Sequence, residues 1–195
     1  MRLFKSYLGR TVLIVLATTM IATPAALAVT LEIGASKDNM LCAKDDQLSN
    51  GSGRYFCVGR TGQPETVRAV IEFDIAGAGI PAGSTIDSVT LMLYENEQAG
   101  GGTSAFSLHR VTTDWGEGAS DAPDGECQCA SAENNDATWR YTFYDSNNPG
   151  SSPQWGSTGG DYVSPASATT NVPSSNGEKF WSSAQMAADV QMSLD

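Results

Sequence analysis

The chain has 195 residues, with 11 Lys and Arg against 22 Asp and Glu, a net charge of −11. That acidity excludes binding to a nucleic acid backbone, which needs clustered cations, and disfavours anionic lipid. It suits a protein that must stay soluble, or one that holds divalent cations.

The first segment reads as a secretory signal peptide. Arg2, Lys5 and Arg10 form a positive start, and residues 11–21 are mostly apolar. Pro24 and the small-x-small run Ala26-Leu27-Ala28 then mark a cleavage site after Ala28. The apolar stretch is short for a bilayer span of ~20 residues, and no second one follows, so no membrane attachment is expected after cleavage. Residues 29–195 should form one domain, and loss of the three leader cations takes the net charge to −14. The protein is expected to be exported, with its four cysteines in an oxidising compartment. Cys42, Cys57, Cys127 and Cys129 allow three connectivities. Cys42–Cys57 is the expected bond, on neighbouring antiparallel strands, with Cys127 and Cys129 a strained near-neighbour pair or open to other partners. One Cys-x-Cys, a distant second pair and a single His do not make zinc spacing.

The rest reads as short strands between turns. Val29 to Ile33 and Tyr55 to Val58 are weak strands. Ala69, Ile71, Phe73 and Ile75 alternate with Val70, Glu72 and Asp74, which predicts a strand with one buried face. After the turn Ile80-Pro81-Ala82-Gly83, Val89, Leu91 and Leu93 alternate with Thr90, Met92 and Tyr94. Residues 106–111 split into two faces, as do residues 139–144, where Trp139, Tyr141 and Phe143 oppose Arg140, Thr142 and Tyr144. Met186, Val190 and Leu194 share one face of a helix over 183–194, capped by Ser182 or Ser183. Many short strands with turn signals predict an all-β, jelly-roll-like antiparallel β-sandwich with one short C-terminal helix.

Residues 114–136 hold seven acids and no cation, and read as a long insertion loop. Asp114, Glu117, Asp121 and Asp124 are the candidate ligands there for a structural Ca²⁺, which takes six to eight oxygens. No EF-hand spacing is present. Catalytic machinery is also not visible. Glu72 and Asp74 stand at i, i+2 on a strand, His109 is the sole histidine, and no nucleophile elbow, phosphate loop or metalloprotease motif occurs. The expectation is a protein that binds and is not an enzyme. Sugar faces stack on exposed aromatic rings while hydroxyls take fixed polar partners. Arg140, Tyr144, Trp155 and Tyr162 are the candidate ligand-binding residues, whereas Trp115 and Trp139 read as structural.

A series of motifs runs through nearly all of residues 29–195. It comprises Ser36-Lys37-Asp38-Asn39, Cys57-Val58-Gly59-Arg60, Arg68-Ala69-Val70-Ile71-Glu72-Phe73-Asp74-Ile75 and Val89-Thr90-Leu91-Met92-Leu93-Tyr94. Ser107-Leu108-His109-Arg110-Val111, Asp114-Trp115-Gly116-Glu117-Gly118, Ala137-Thr138-Trp139 and Gly159-Gly160-Asp161 follow. In this order they resemble the DNRLRE (disaggregatase-related) domain, which is similar to a family of carbohydrate-binding modules. The resemblance implies a jelly-roll-like sandwich in an exported protein, and polysaccharide as the partner. The charge points to a neutral glycan, or to an acidic one bridged by Ca²⁺. The other class is a structural or adhesive surface protein with no small ligand. Relatives continue past the terminal helix into a further strand, so a chain ending at Asp195 is expected to be truncated, with an exposed sheet edge. The cysteines are not part of the family pattern.

Overall fold

Strand β1, Lys37–Cys42, is buried on both faces, and this sets the plan of the molecule. The computed structural model describes residues 28–60, 65–98, 100–122 and 125–195. The leader before Ala28 and Asp124 lie outside them. Residues 32–195 make one unit. The remaining strands are β2 (Leu48–Ser49), β3 (Gly59–Arg60), β4 (Thr66–Glu72), β5 (Thr90–Glu95), β6 (Thr103–Leu108), β7 (Ala130–Ser131), β8 (Ala168–Pro173) and β9 (Gly177–Ser182). Every strand pairing is antiparallel, in the orders β1-β4-β3, β2-β7, β5-β9 and β6-β8. Helix α1, Ala184–Leu194, closes the series. The fold is therefore all-β, antiparallel and sandwich-like with a single C-terminal helix. No described helix is long and apolar enough to cross a membrane.

One sandwich forms from the later strands. Leu91 and Leu93 of β5, Trp181 of β9, Phe106 and Leu108 of β6, and Ala168 and Val172 of β8 share one apolar cluster. The Trp181 indole N–H crosses from β9 to the Phe106 carbonyl on β6, at 2.9 Å. Met186 of α1 joins this cluster. Ser183 caps the helix by accepting from the Met186 amide at 3.0 Å, as the sequence led one to expect. Gln191 fastens α1 to the chain before β5, accepting from the Ile86 amide and donating to the Ser84 carbonyl.

The β1-β4 ladder is covered on both sides instead. Leu41 and Val70 pack on one face beneath Trp115, Ala137 and Trp155. Met40, Cys42 and Val67 pack on the other against Leu48, Phe56, Cys57 and Cys129. This corrects the alternation read for β4. Val70 is buried, while Ala69, Ile71 and Phe73 are only half-buried. Period-2 reading assumes one wet face, and here loops cover the face assigned to water. Leu41 is wholly buried. Leu41→Ala is expected to cost about 2–5 kcal/mol by loss of burial plus the cavity left behind, read from urea unfolding.

A polar network stitches the loops to β1. The buried Asn39 carbonyl oxygen accepts from the Met40 amide, the Asn50 amide and the Ser49 hydroxyl, and its Nδ2 donates to the carbonyls of Gly116 and Glu117. Asn50 in turn donates to Glu126 and accepts from the Ala122 amide. A buried amide with every position used specifies one arrangement, and removing it strands its partners. Asn39→Ala is expected to destabilise by at least about 1–3 kcal/mol, the desolvation cost of one orphaned group, with hydrogen exchange rising first at the Met40 and Asn50 amides, which lose their acceptor.

Three strand expectations are corrected. Residues 29–33 and 55–58 lie outside any strand, and residues 139–144 form turns with only a single bridge, Tyr141 to Gln154. The last segment is held by local bonds: the Thr138 hydroxyl accepts from the Arg140 and Tyr141 amides. The disulfide expectation is corrected too. Cys42 bonds Cys129 and Cys57 bonds Cys127, with Cα–Cα distances of 6.8 and 5.3 Å. Cys42 cannot face Cys57 across a ladder, because its cross-strand partner is Val67 of β4. The Cys127-Gln128-Cys129 turn, with Cys129 at a φ of 58°, offers its two thiols to different partners.

Candidate functional site

Tyr162 is the centre of the most developed exposed cluster. Its side of the molecule is set by residues 110–112 and 161–163, which pair through the Val111–Tyr162 bridge and the amide-to-carbonyl bonds Thr112 to Asp161 and Val163 to Arg110. Tyr162 is 45% exposed. The His109 ring meets it edge-on with centroids 4.9 Å apart, and His109 Nδ1 is fixed on the Val163 carbonyl at 2.8 Å. The Arg68 guanidinium stands over two rings, 5.1 Å from Trp139 and 5.4 Å from Tyr162. Arg68 Nη1 also donates to the Gly159 carbonyl at 2.6 Å. Each cation–π contact is worth about 0.5–2 kcal/mol, more when desolvated.

Two local devices hold this cluster. Gly159 has a φ of 85°, and a Cβ there would lie 2.8 Å from both Arg68 Nη1 and the Trp139 ring. Only glycine lets the loop pass so close. Asp161 accepts from the Gly156 and Ser157 amides and from the Thr113 hydroxyl. Those donors, the Gly156 amide foremost, hold its carboxyl below the ordinary value of 3.8. A lowered acid contributes stability that is present above the unfolded value and is lost as pH falls through the folded one. Asp161→Asn should therefore lose stability at neutral pH and show a smaller drop than the wild type on acidification below pH 4, measured by thermal unfolding across pH.

The other sequence candidates lie elsewhere. Tyr144 and Trp155 are 6% and 5% exposed, in the core. Tyr144 Oη donates to Gln47, and burial pushes its pKa up. The Trp155 indole N–H donates to the Thr138 carbonyl at 2.9 Å. The face assignment for Tyr144 fails because 139–144 is not a strand, and the polar loop around Trp155 folds inward over Leu41 and Val70. Arg140 is exposed, lies over Tyr141 and reaches Gln154 and Asp46 at 3.3 and 3.5 Å. That is a surface ion pair of little weight. Of the four candidates, only Tyr162 belongs to the cluster described above.

The acidic segment is folded into the structure. Asp114 pairs with Lys37, which also meets Glu72 and stands 4.6 Å over Trp115. The Lys37 bond holds the Asp114 carboxyl low. Burial works against the Lys37 ammonium, and its two carboxylate partners outweigh it to raise the pKa. Glu117 accepts from the Asp38 amide, and Glu126 from the amides of Arg54 and Tyr55. Buried Asp136 accepts from Glu133 and Ser120, with its pKa raised by desolvation. Asp121 is exposed. Asp114, Glu117, Glu126 and Asp136 are engaged in hydrogen bonds or an ion pair, Asp121 and Glu133 have no side-chain partner among the described residues, and there no three His, Cys, Asp or Glu side chains gather as a metal site.

A second exposed strip was passed over in the sequence. Met92, Tyr94 and Phe180 lie on the outward face of β5-β9, Met92 directly opposite Phe180, with Tyr94 66% exposed. The signal was there for Tyr94, on the outer side of the alternation. Phe180 belongs to β9, which was not predicted. Comparisons with protein-family models, with curated proteins and with solved structures return no match.

Proposed function

We propose that this chain is an exported, non-catalytic carbohydrate-binding module, related to the DNRLRE domain that its motif series resembles, with Tyr162 as its stacking ring. The observation that carries this reading is the half-exposed Tyr162 ring braced by His109 and Arg68. A pyranose lies on the ring face, and the imidazole and guanidinium provide polar partners for its hydroxyls. Two disulfides fit an oxidising compartment and hence the export expected of the leader. The ligand is a neutral polysaccharide, or an acidic one bridged by Ca²⁺, because the chain's net charge of −11 opposes a bare polyanion.

The β5-β9 strip favours a second reading, a structural or adhesive surface protein. It sets Met92, Tyr94 and Phe180 in an exposed row, with Glu178 opposite Tyr94 and the Thr90–Ser182 pair at its end. The Tyr162 cluster ranks first because it combines both requirements. A glycan array, run with calcium and with chelator, tests the choice. Binding to a defined polysaccharide that falls at least tenfold in Tyr162→Ala supports the module. Equal binding of an acidic glycan under both conditions removes the calcium bridge. Absence of binding to any glycan by folded protein supports the structural reading.

A further inference from the structure

Among the described residues, strand β4 is paired along one edge and only at Thr66 and Val67 along the other. The bond from the Ala43 amide to the Thr66 carbonyl and the β1-β4 register place Thr66, Arg68, Val70 and Glu72 in the hydrogen-bonded positions toward β1. Val67, Ala69 and Ile71 therefore direct their amides and carbonyls away from β1. On that side β3 reaches only Thr66 and Val67. Among the described residues no strand pairs with Ala69 or Ile71 there. An open edge of this kind is a template for another strand.

The same chain carries a matching strand that nothing occupies. Val29-Thr30-Leu31-Glu32-Ile33 alternates apolar and polar residues, yet it lies outside every strand, and Leu31 is 49% exposed. None of its backbone groups bonds another among the described residues. Set antiparallel to β4 with Leu31 opposite Ile71, the segment places Val29 against Phe73 and Ile33 against Ala69. All three pairs then share the half-buried apolar face. Glu32, the only charge in 29–35, falls on the Arg68 side of the sheet. Arg60 and Arg68, which flank the open edge, have no carboxylate partner among the described ion pairs.

We infer that residues 29–33 of one copy add as a strand to the open β4 edge of a second copy. A chain's own segment is poorly placed to do this. It leaves β1 at Lys37, beside Glu72, so it would have to cross the end of β4 and then run parallel to it. The crossing is about two strand spacings, ~10 Å. Ser36 is held on the Glu72 carbonyl, so the crossing falls to the three steps from Ile33 to Ser36, ~10 Å fully extended, with no slack to clear residues 73–75 as they leave β4. A second copy meets neither constraint, and mutual exchange closes a two-fold dimer.

Sedimentation equilibrium of the full chain, produced in an exporting host, tests this. The wild type is expected to be a dimer. Leu31→Asp puts a charge on the donor face at an exposed position. Ala69→Pro removes an amide from the open edge and leaves the β1 ladder intact. Each should raise the dimer dissociation constant at least tenfold. Mixing the two variants should restore a heterodimer, since one keeps a sound edge and the other a sound donor. A monomeric wild type, dimers indifferent to both variants, or a mixture that stays monomeric overturns the exchange, whatever the glycan array shows.

Discussion

Trp155→Ala is expected to lower stability by about 3–5 kcal/mol, the usual cost of deleting a buried tryptophan. The ring closes the Leu41, Val70, Trp115 and Ala137 cluster, and its N–H serves the Thr138 carbonyl inside the fold. Removing it opens a cavity and leaves that carbonyl without its donor. With a total stability of about 5–15 kcal/mol for an ordinary domain, this brings the chain near its unfolding threshold. Tyr162→Ala should cost far less, because nearly half of that ring already meets solvent. Chemical denaturation of the two variants side by side separates them. Similar losses for both would contradict the assignment of Trp155 to the core and Tyr162 to the surface.

Reduction should have the largest effect of all. The bonds join residues separated by 87 and 70 positions. In the chain-entropy picture each is worth about 4 kcal/mol through the denatured ensemble. Both bonds tie the segment around Cys127 and Cys129 to β1 and to the chain before β3, so their loss also frees Glu126 and the caps it provides. The reduced protein is expected to lose its cooperative near-ultraviolet signal at physiological temperature. Peptide mapping of the oxidised protein should return Cys42 with Cys129 and Cys57 with Cys127. A Cys42–Cys57 peptide would contradict the structure.

Where an element has a single wet face, its pattern was readable. The Leu91 and Leu93 alternation in β5 emerged with Tyr94 outward, and α1 formed behind Ser183. Where both faces are covered, periodicity misled, as at Val70. Residues 139–144 alternate like a strand, yet the Thr138 hydroxyl captures two following amides and turns the chain. Strands β8 and β9 were not predicted, because Thr169, Thr170, Asn171 and Glu178 give them little apolar alternation. They pair β6 and β5 through backbone registers that composition does not announce. The disulfides needed the position of the 126–129 turn, which is fixed by Asn50 and Glu126 across the fold. Of the site, Tyr162 was legible as an aromatic in a polar loop. Its neighbours Arg68, His109 and Trp139 come from distant segments, brought together by β4, the 110–112 pairing and Gly159.

The most direct test of carbohydrate binding at this cluster is a nuclear magnetic resonance titration of the oxidised protein with an oligosaccharide of the best array hit. The predicted result is a compact set of shift changes at Tyr162, His109, the Arg68 side chain and the Trp139 indole, abolished in Tyr162→Ala. Shifts confined to Tyr94, Met92 and Phe180 on β5-β9, or none anywhere at saturating sugar, would contradict it.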